Sequence, residues 1–301
     1  MKGDWNTWGD LLQVLNDTFG VLRRYGIELV PGCRYARYKR LLELVSSGRR
    51  DELRQTPQAM LRLLQACVEI RELSQIVGVF AQPHFGDQHI ARIRRIALKG
   101  NELPAGNPEL GVGTERTSRA RDCQFETYCG ALCRMAQLEP RFTEPDVVAK
   151  VEGVSLGIAA KRVKSRKRIN ERVRQATNQI EQRRKPGVIM IHASIAAHDD
   201  LRLWRLDLAN VRSKASAITE GICDEIKRAE LATDRSRWTY GYCVIVDTLY
   251  RDTGGHAGIL RVARGRARLQ APKYVKRIHQ AFFDAIDPFL DLTLRHTEPS
   301  R

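Results

Sequence analysis

The chain has 301 residues, 43% of them hydrophobic, and its 51 Lys and Arg against 35 Asp and Glu give a formal net charge of +16. That apolar fraction can build one sizeable core or two modest domains, and it excludes a globally disordered chain. No stretch reaches the ~20 uncharged apolar residues that cross a bilayer, so no membrane is expected as a partner. The acid and two tryptophans within the first eight residues do not read as a secretory signal.

Leu11, Leu12, Leu15 and Phe19 recur at helical spacing behind Trp8-Gly9-Asp10 and predict a first helix. Tyr38, Leu41, Leu42, Leu44 and Val45 predict a second, stopped by Gly48. Pro57 suits the first turn of a third, which continues through Leu61, Leu64, Cys67 and Ile70. A fourth covers 89–98 and closes at Gly100. From there to Gly113 come Pro104, Pro108 and four glycines, a loop that divides a helical domain (1–113) from a second domain (114–301).

Past that loop the period changes. A helix over 118–138 can place Phe125, Tyr128, Leu132 and Met135 on one face, and 141–143 is extended. Two strands follow, 147–151 and 154–163, joined by a tight hairpin at Glu152-Gly153. A basic, polar helix over 168–184 ends at Pro186-Gly187. The β-branched run 188–191 then reads as a buried central strand. Residues 214–231 read as a helix, 242–249 and 258–262 as strands, and 275–294 as a closing helical region broken or kinked at Pro288. The expected fold is α/β, with helices first and a mixed sheet flanked by helices after them.

The charge is focused. Residues 116–195 hold 17 bases and 8 acids, so more than half of the excess lies in about a quarter of the chain. Such a field attracts polyanions and releases their counterions, which makes nucleic acid the leading partner. Seven cysteines at scattered spacings form no disulfide framework, and the expected location is a reducing cytoplasm.

Within the basic segment, four residues take a spacing with chemical meaning. Glu126 lies in the helix before the hairpin, Asp146 opens its first strand, Lys161 lies near the end of its second, and Gln179 sits in the basic helix. A hairpin turning at Glu152-Gly153 brings Asp146 and Lys161 together. Phosphodiester hydrolysis is chiefly charge neutralisation and positioning. Carboxylates serve it by holding Mg²⁺ or Mn²⁺, hard cations that polarise a phosphoryl oxygen and acidify a water. A neighbouring lysine stabilises the transition state or orients that water. The small residues before Lys161, Ile158-Ala159-Ala160, suggest a partly buried cation, for which Asp146 is the natural counter-charge.

Gln124-Phe125-Glu126, Glu144-Pro145-Asp146, Ile158-Ala159-Ala160-Lys161 and residues 176–179 together resemble the PD-(D/E)XK nuclease superfamily, closest to its diverged bacterial members. The resemblance covers about 118–195. It implies a restriction-endonuclease-like core and a metal-dependent DNA endonuclease, with Glu126, Asp146 and Lys161 as catalytic residues. Glu126, Asp146 and the carbonyl of Ala160 would hold the Mg²⁺ or Mn²⁺. The superfamily's usual strand acid is replaced here by Ala159, and Glu126 is the expected substitute. Arg162, Lys164, Ser165, Arg168, Arg172 and Gln179 then read as a phosphate track for DNA, with RNA meeting the same chemistry. Such an enzyme belongs to genome defence or mobile-element biology. Two sites would cut two strands, which makes a homodimer an expectation, and the N-terminal helices are a surface for DNA or a protein partner.

The rival reading is a catalytically silent nuclease fold that binds nucleic acid or serves assembly, supported by Ala159. Ser194 is a further phosphate donor candidate, though such serines are more often caps. Cys123, Cys129 and Cys133 could hold a metal but read better as packed free thiols. His198-Asp199-Asp200 lacks supporting histidines and reads as a loop, and Gly254-Gly255-His256 as a hairpin turn. No phosphate-binding glycine loop for ATP is present.

Overall fold

A computed structural model describes residues 7–47, 57–82, 86–98, 119–197, 204–205, 207–232, 236–251, 257–268, 271–290 and 293–295. Its helices are α1 (Trp8–Arg23), α2 (Arg34–Ser46), α3 (Pro57–Phe80), α4 (Asp87–Leu98), α5 (Arg119–Met135), α6 (Ile169–Arg183), α7 (Leu208–Ala232) and α8 (Lys273–Leu290). Its strands are β1 (Val147–Val151), β2 (Val154–Arg162), β3 (Gly187–His192), β4 (Trp204–Arg205), β5 (Thr239–Arg251), β6 (Ala257–Ala267) and β7 (Thr293–Arg295). They form one mixed sheet in the order β1-β2-β3-β5-β6-β7, with β4 pairing β5. β2, β3 and β5 run parallel in its centre, and the antiparallel strands β1 and β6 flank them.

Local chemistry explains the elements that position the cleft. Thr7 caps α1 through a reciprocal capping box with Asp10. Glu152 and Gly153 both adopt positive φ, 46° and 79°, the pair of left-handed residues that a two-residue hairpin needs. The β1–β2 register therefore pairs Val147 with Ile158 and Val151 with Val154. α6 buries Ile169, Val173, Ala176 and Ile180, one stripe at helical spacing, and turns its Arg- and Gln-rich side away. Arg184 closes it in the left-handed conformation. A short 3₁₀ turn, Arg166–Arg168, leads into it.

The sheet is buried on both faces. Along β3, Val188 and Met190 join the core beneath α1–α5 and α8, while Ile189 and Ile191 join the core beneath α6. The period-two alternation of a strand thus feeds two apolar layers from one continuous apolar run. The first core is continuous from Trp8 in α1 to Leu290 in α8, so the N-terminal helices share it with the sheet. The expected 113/114 boundary falls outside the described residues, as do His198-Asp199-Asp200 and Gly254-Gly255-His256.

Two elements differ from expectation. The closing helix ends at Leu290, with Pro288 inside its last turn, and 293–295 form an edge strand rather than more helix. β5 and β6 extend well past their apolar centres, to 13 and 11 residues, because backbone pairing carries the polar ends along.

Between the helical layer and the sheet lies a seam of buried charge. Glu69 of α3 is fully buried and pairs with Arg34 (3.2 Å), Arg121 (2.8 Å) and Arg162 (3.6 Å), and Tyr38 Oη donates to it at 2.9 Å. Burial alone would raise the Glu69 carboxyl, but Arg121, Arg34 and Arg162 outweigh it and hold it down to about 2. Gln124, also buried, accepts from Arg34 and from Tyr35 Oη and donates to Glu72. Removing the charge of Glu69 while keeping its shape leaves buried guanidinium groups uncompensated. Glu69→Gln is therefore expected to lower unfolding free energy by about 3–5 kcal/mol, read from the denaturant midpoint at unchanged slope.

Candidate active site

Asp146 and Lys161 meet as the hairpin register requires. Asp146 lies one residue before β1, so continuing the register sets it opposite Ala159, on the strand face that Lys161 also uses. Its Oδ2 accepts the Ala160 N–H at 2.8 Å and Lys161 Nζ at 3.2 Å. The two side chains keep 12% and 13% of their surface exposed, enough to be reached and too little to be fully hydrated. Pro145 is held close by an absent side chain, since a Cβ on Gly157 would lie 2.8 Å from Pro145 Cδ. Gln179 Nε2 reaches the Pro145 carbonyl at 3.5 Å.

Glu126 comes to the same place from α5. It lines a cleft of about 420 Å³ with Asp122, Ala160, Lys161 and Arg162, opposite Arg172, Gln175 and Gln179 of α6. Arg92 of α4 stands 3.6 Å from Glu126 and stacks over the Phe142 ring. Burial first, and then the charge of Asp146, push the Glu126 carboxyl up to about 7 against the pull of Arg92 and Lys161. Burial likewise raises Asp146, opposed by Lys161 and by the Ala160 N–H. Burial thus opposes the ionisation of both acids, and the charge of Asp146 adds to the cost at Glu126. They are the oxygen donors on which a hard divalent cation could sit. Among the described residues, no group of three or more His, Cys, Asp and Glu is placed to hold a metal ion.

The remaining candidates divide. Arg172 and Gln179 line the cleft, and Arg172 also donates to Gln175 at 3.0 Å. Arg168 is exposed beside it, before α6. Ser165 precedes the 3₁₀ turn and makes no side-chain cap. Arg162 lines the cleft but is drawn inward to Glu69, its side chain 8% exposed. Lys164 borders a separate small pocket with Gln65, Glu69 and Arg121. Ser194 is not a phosphate donor: it is buried and bonded to His192 Nε2 and Asp247 Oδ2, both at 2.9 Å. That trio is no hydrolase relay either, because Asp247 and Ser194 both meet the same nitrogen of His192, where a relay uses both ring nitrogens. All seven cysteines are buried and free, and burial raises the thiols of Cys123, Cys129 and Cys133.

Reasoning from sequence missed Asp122, Gln175, Asn178 and Gln182 in the cleft. The signal was present for the helical ones: 172, 175, 179 and 182 step by three and four, one stripe of α6. Arg92 and Glu69 gave no such signal, since their partners lie 31 and more residues away. No helix among the described residues is long and apolar enough to cross a membrane. Comparisons of the chain with protein-family models, with curated proteins and with solved structures gave no match.

The raised Glu126 carboxyl has a measurable consequence. Its folded value lies above that of the unfolded chain, so its contribution to stability is complete below about pH 4.5 and is lost as pH rises through about 7. In chelator, Glu126→Gln is expected to flatten the wild-type fall in stability over that window, measured as unfolding midpoint against pH.

Proposed function

We propose that this chain is a divalent-metal-dependent DNA endonuclease of the PD-(D/E)XK kind, with a restriction-endonuclease-like core built from α5, β1, β2, α6 and β3. The observation that carries the reading is the Asp146 carboxylate bonded to both the Ala160 N–H and Lys161 Nζ, two residues that line the same cleft as Glu126. The order helix, antiparallel hairpin, helix, parallel strand supports it. So does the concentration of positive charge in the same segment.

The donors fit a magnesium-like ion. Glu126 and Asp146 are crowded carboxylates whose ionisation burial opposes, and Gln179 Oε1 is buried with no hydrogen-bond partner. Hard oxygen donors in small number, with water completing the shell, are what Mg²⁺ and Mn²⁺ accept. Glu126, Asp146 and the Ala160 carbonyl would hold the ion, which when bound supplies charge neutralisation at the phosphoryl oxygen and an acidified water. Lys161, fixed by Asp146, places a donor where negative charge grows on the phosphorane-like transition state. Arg172 and Arg168 hold the flanking phosphates, and the apolar cores beneath β2 keep the hairpin, and so the pair, from shifting. The setting of such an activity in genome defence or mobile-element biology, in a cytoplasm and as a homodimer, belongs to the same proposal.

A second reading rests on Ala159. It is completely buried in the apolar cluster of α6, so no acid acts from that position, and a silent fold that binds nucleic acid would tolerate its loss. Cleavage of supercoiled and linear DNA with Mg²⁺ or Mn²⁺ separates the two. The nuclease reading expects wild-type cleavage and a loss of at least ~100-fold in both Asp146→Ala and Lys161→Ala, with DNA binding kept. Wild-type binding that is indifferent to chelator, without any cleavage, favours the silent fold.

A further inference from the structure

The cleft lies where β2 and β3 end, with Lys161 and Arg162 paired to Ile191 and His192. At the other end of the sheet, where β3 and β5 begin, a second group of cations gathers. Arg184 and Lys185 stand in the turn from α6 into β3, Arg237 just before β5, Arg268 just after β6, and Lys273 and Lys276 at the start of α8. All are exposed except Arg268, which is partly so. The fold ties these segments together. Gly187 N–H donates to the Trp238 carbonyl, Arg268 N–H to the Tyr240 carbonyl, and the Tyr240 and Tyr274 rings meet edge to face at 6.3 Å.

Among the described residues, two acids placed at this end are spent on other partners. Glu181 accepts the backbone N–H groups of Arg237, Trp238 and Thr239 at 2.7–3.1 Å. Glu152, in the β1–β2 turn, pairs with Arg277 at 3.0 Å. Among the described residues, neither of these acids is paired with the exposed Arg184, Lys185, Lys273 or Lys276. Tyr274, 59% exposed, stands among them as one of two exposed large hydrophobic residues in the described chain.

α6 connects the two ends. Its 15 residues span ~22 Å. Its stripe of Arg172, Gln175, Gln179 and Gln182 leads from the cleft toward Arg184. We propose that this far edge is a second contact for the DNA backbone, reached by a duplex that leaves the cleft along α6; the inference rests on the nuclease reading. At 3.4 Å per base pair, ~22 Å corresponds to about six or seven base pairs, so the edge engages only DNA that extends at least that far beyond the scissile phosphate. An anionic bilayer or an acidic protein would also suit the charge, but neither uses the continuity with the cleft.

The test is binding, not cleavage. Full-length Lys161→Ala protein in chelator is titrated by fluorescence anisotropy with hairpin duplexes of about 5 and about 24 base pairs, with and without Arg237→Ala, Lys273→Ala and Lys276→Ala together. The expected result is a loss of about tenfold or more on the long duplex and a salt slope shallower by about 2–3, against a change within about twofold on the short one. The charge-retaining set Arg237→Lys, Lys273→Arg and Lys276→Arg is expected to keep the long-duplex affinity. Equal losses on both lengths, no loss on either, or a loss that the charge-retaining set shares would overturn the inference. So would a loss confined to phosphatidylserine vesicles or to duplex RNA. Because nothing is cleaved in this assay, its failure is distinct from a failure of Asp146 and Lys161 in the cleavage assay.

Discussion

Glu69 is fully buried where three guanidinium groups converge. Arg34 reaches it from α2, Arg121 from α5 and Arg162 from the end of β2. A buried carboxylate of this kind is costly to desolvate and becomes tolerable only when its partners are held at short range. The requirement works in both directions. The helical layer must sit on the sheet in the one placement that satisfies Glu69, and that placement sets α5 over the ends of β2 and β3. Glu126, one turn and a little more beyond Arg121, is thereby delivered to the cleft. A second buried group continues the seam: Arg261 binds Asp247 at 2.6 Å and Tyr128 Oη at 2.8 Å, and reaches Glu72 at 3.4 Å. The seam specifies geometry more than it adds stability, since an apolar contact of similar size would stabilise as well.

In the proposed site, two carboxylates and a lysine stand without a third acid on the strand. Ala159 faces the core of α6, where its small side chain lies among Val173, Ala176 and Ile180 in the buried cluster. An acid there would have to be buried in this apolar layer, with Asp146 already holding the Lys161 ammonium on the same strand face. Glu126 instead enters from the helix on the opposite face of the sheet. Its carboxyl is raised by burial and by the charge of Asp146, and that of Asp146 by burial, the condition that a bound cation relieves.

Much of this was legible in the sequence where the controlling interactions are local. The Glu152-Gly153 turn determines the β1–β2 register, and the register alone brings Asp146 to Lys161, fifteen residues away. Arg172 and Gln179, seven residues apart on α6, were read as site residues and both line the cleft, while Gln175 and Gln182 of the same stripe were passed over. Contacts between distant segments left no such trace. Arg92 at Glu126, Arg162 at Glu69, and Ser194 at His192 and Asp247 depend on how α4, α3 and β5 pack, and a basic or polar residue reads the same whether it meets solvent or a buried acid. Arg162 read as part of a phosphate track for that reason, and Ser194 as a phosphate donor. The β7 strand hid in the same way, because a three-residue edge pairing carries no periodicity of its own.

Asp146 with Glu126 is proposed to form an oxygen site for a divalent cation beside Lys161. Mn²⁺ binding to the full-length protein, followed by electron paramagnetic resonance, tests it without reliance on any substrate. The account expects binding at one site per chain, weakened at least ~10-fold in Asp146→Asn while the thermal unfolding transition is retained. Mn²⁺ affinity unchanged by Asp146→Asn, or no binding by the wild type, would contradict it.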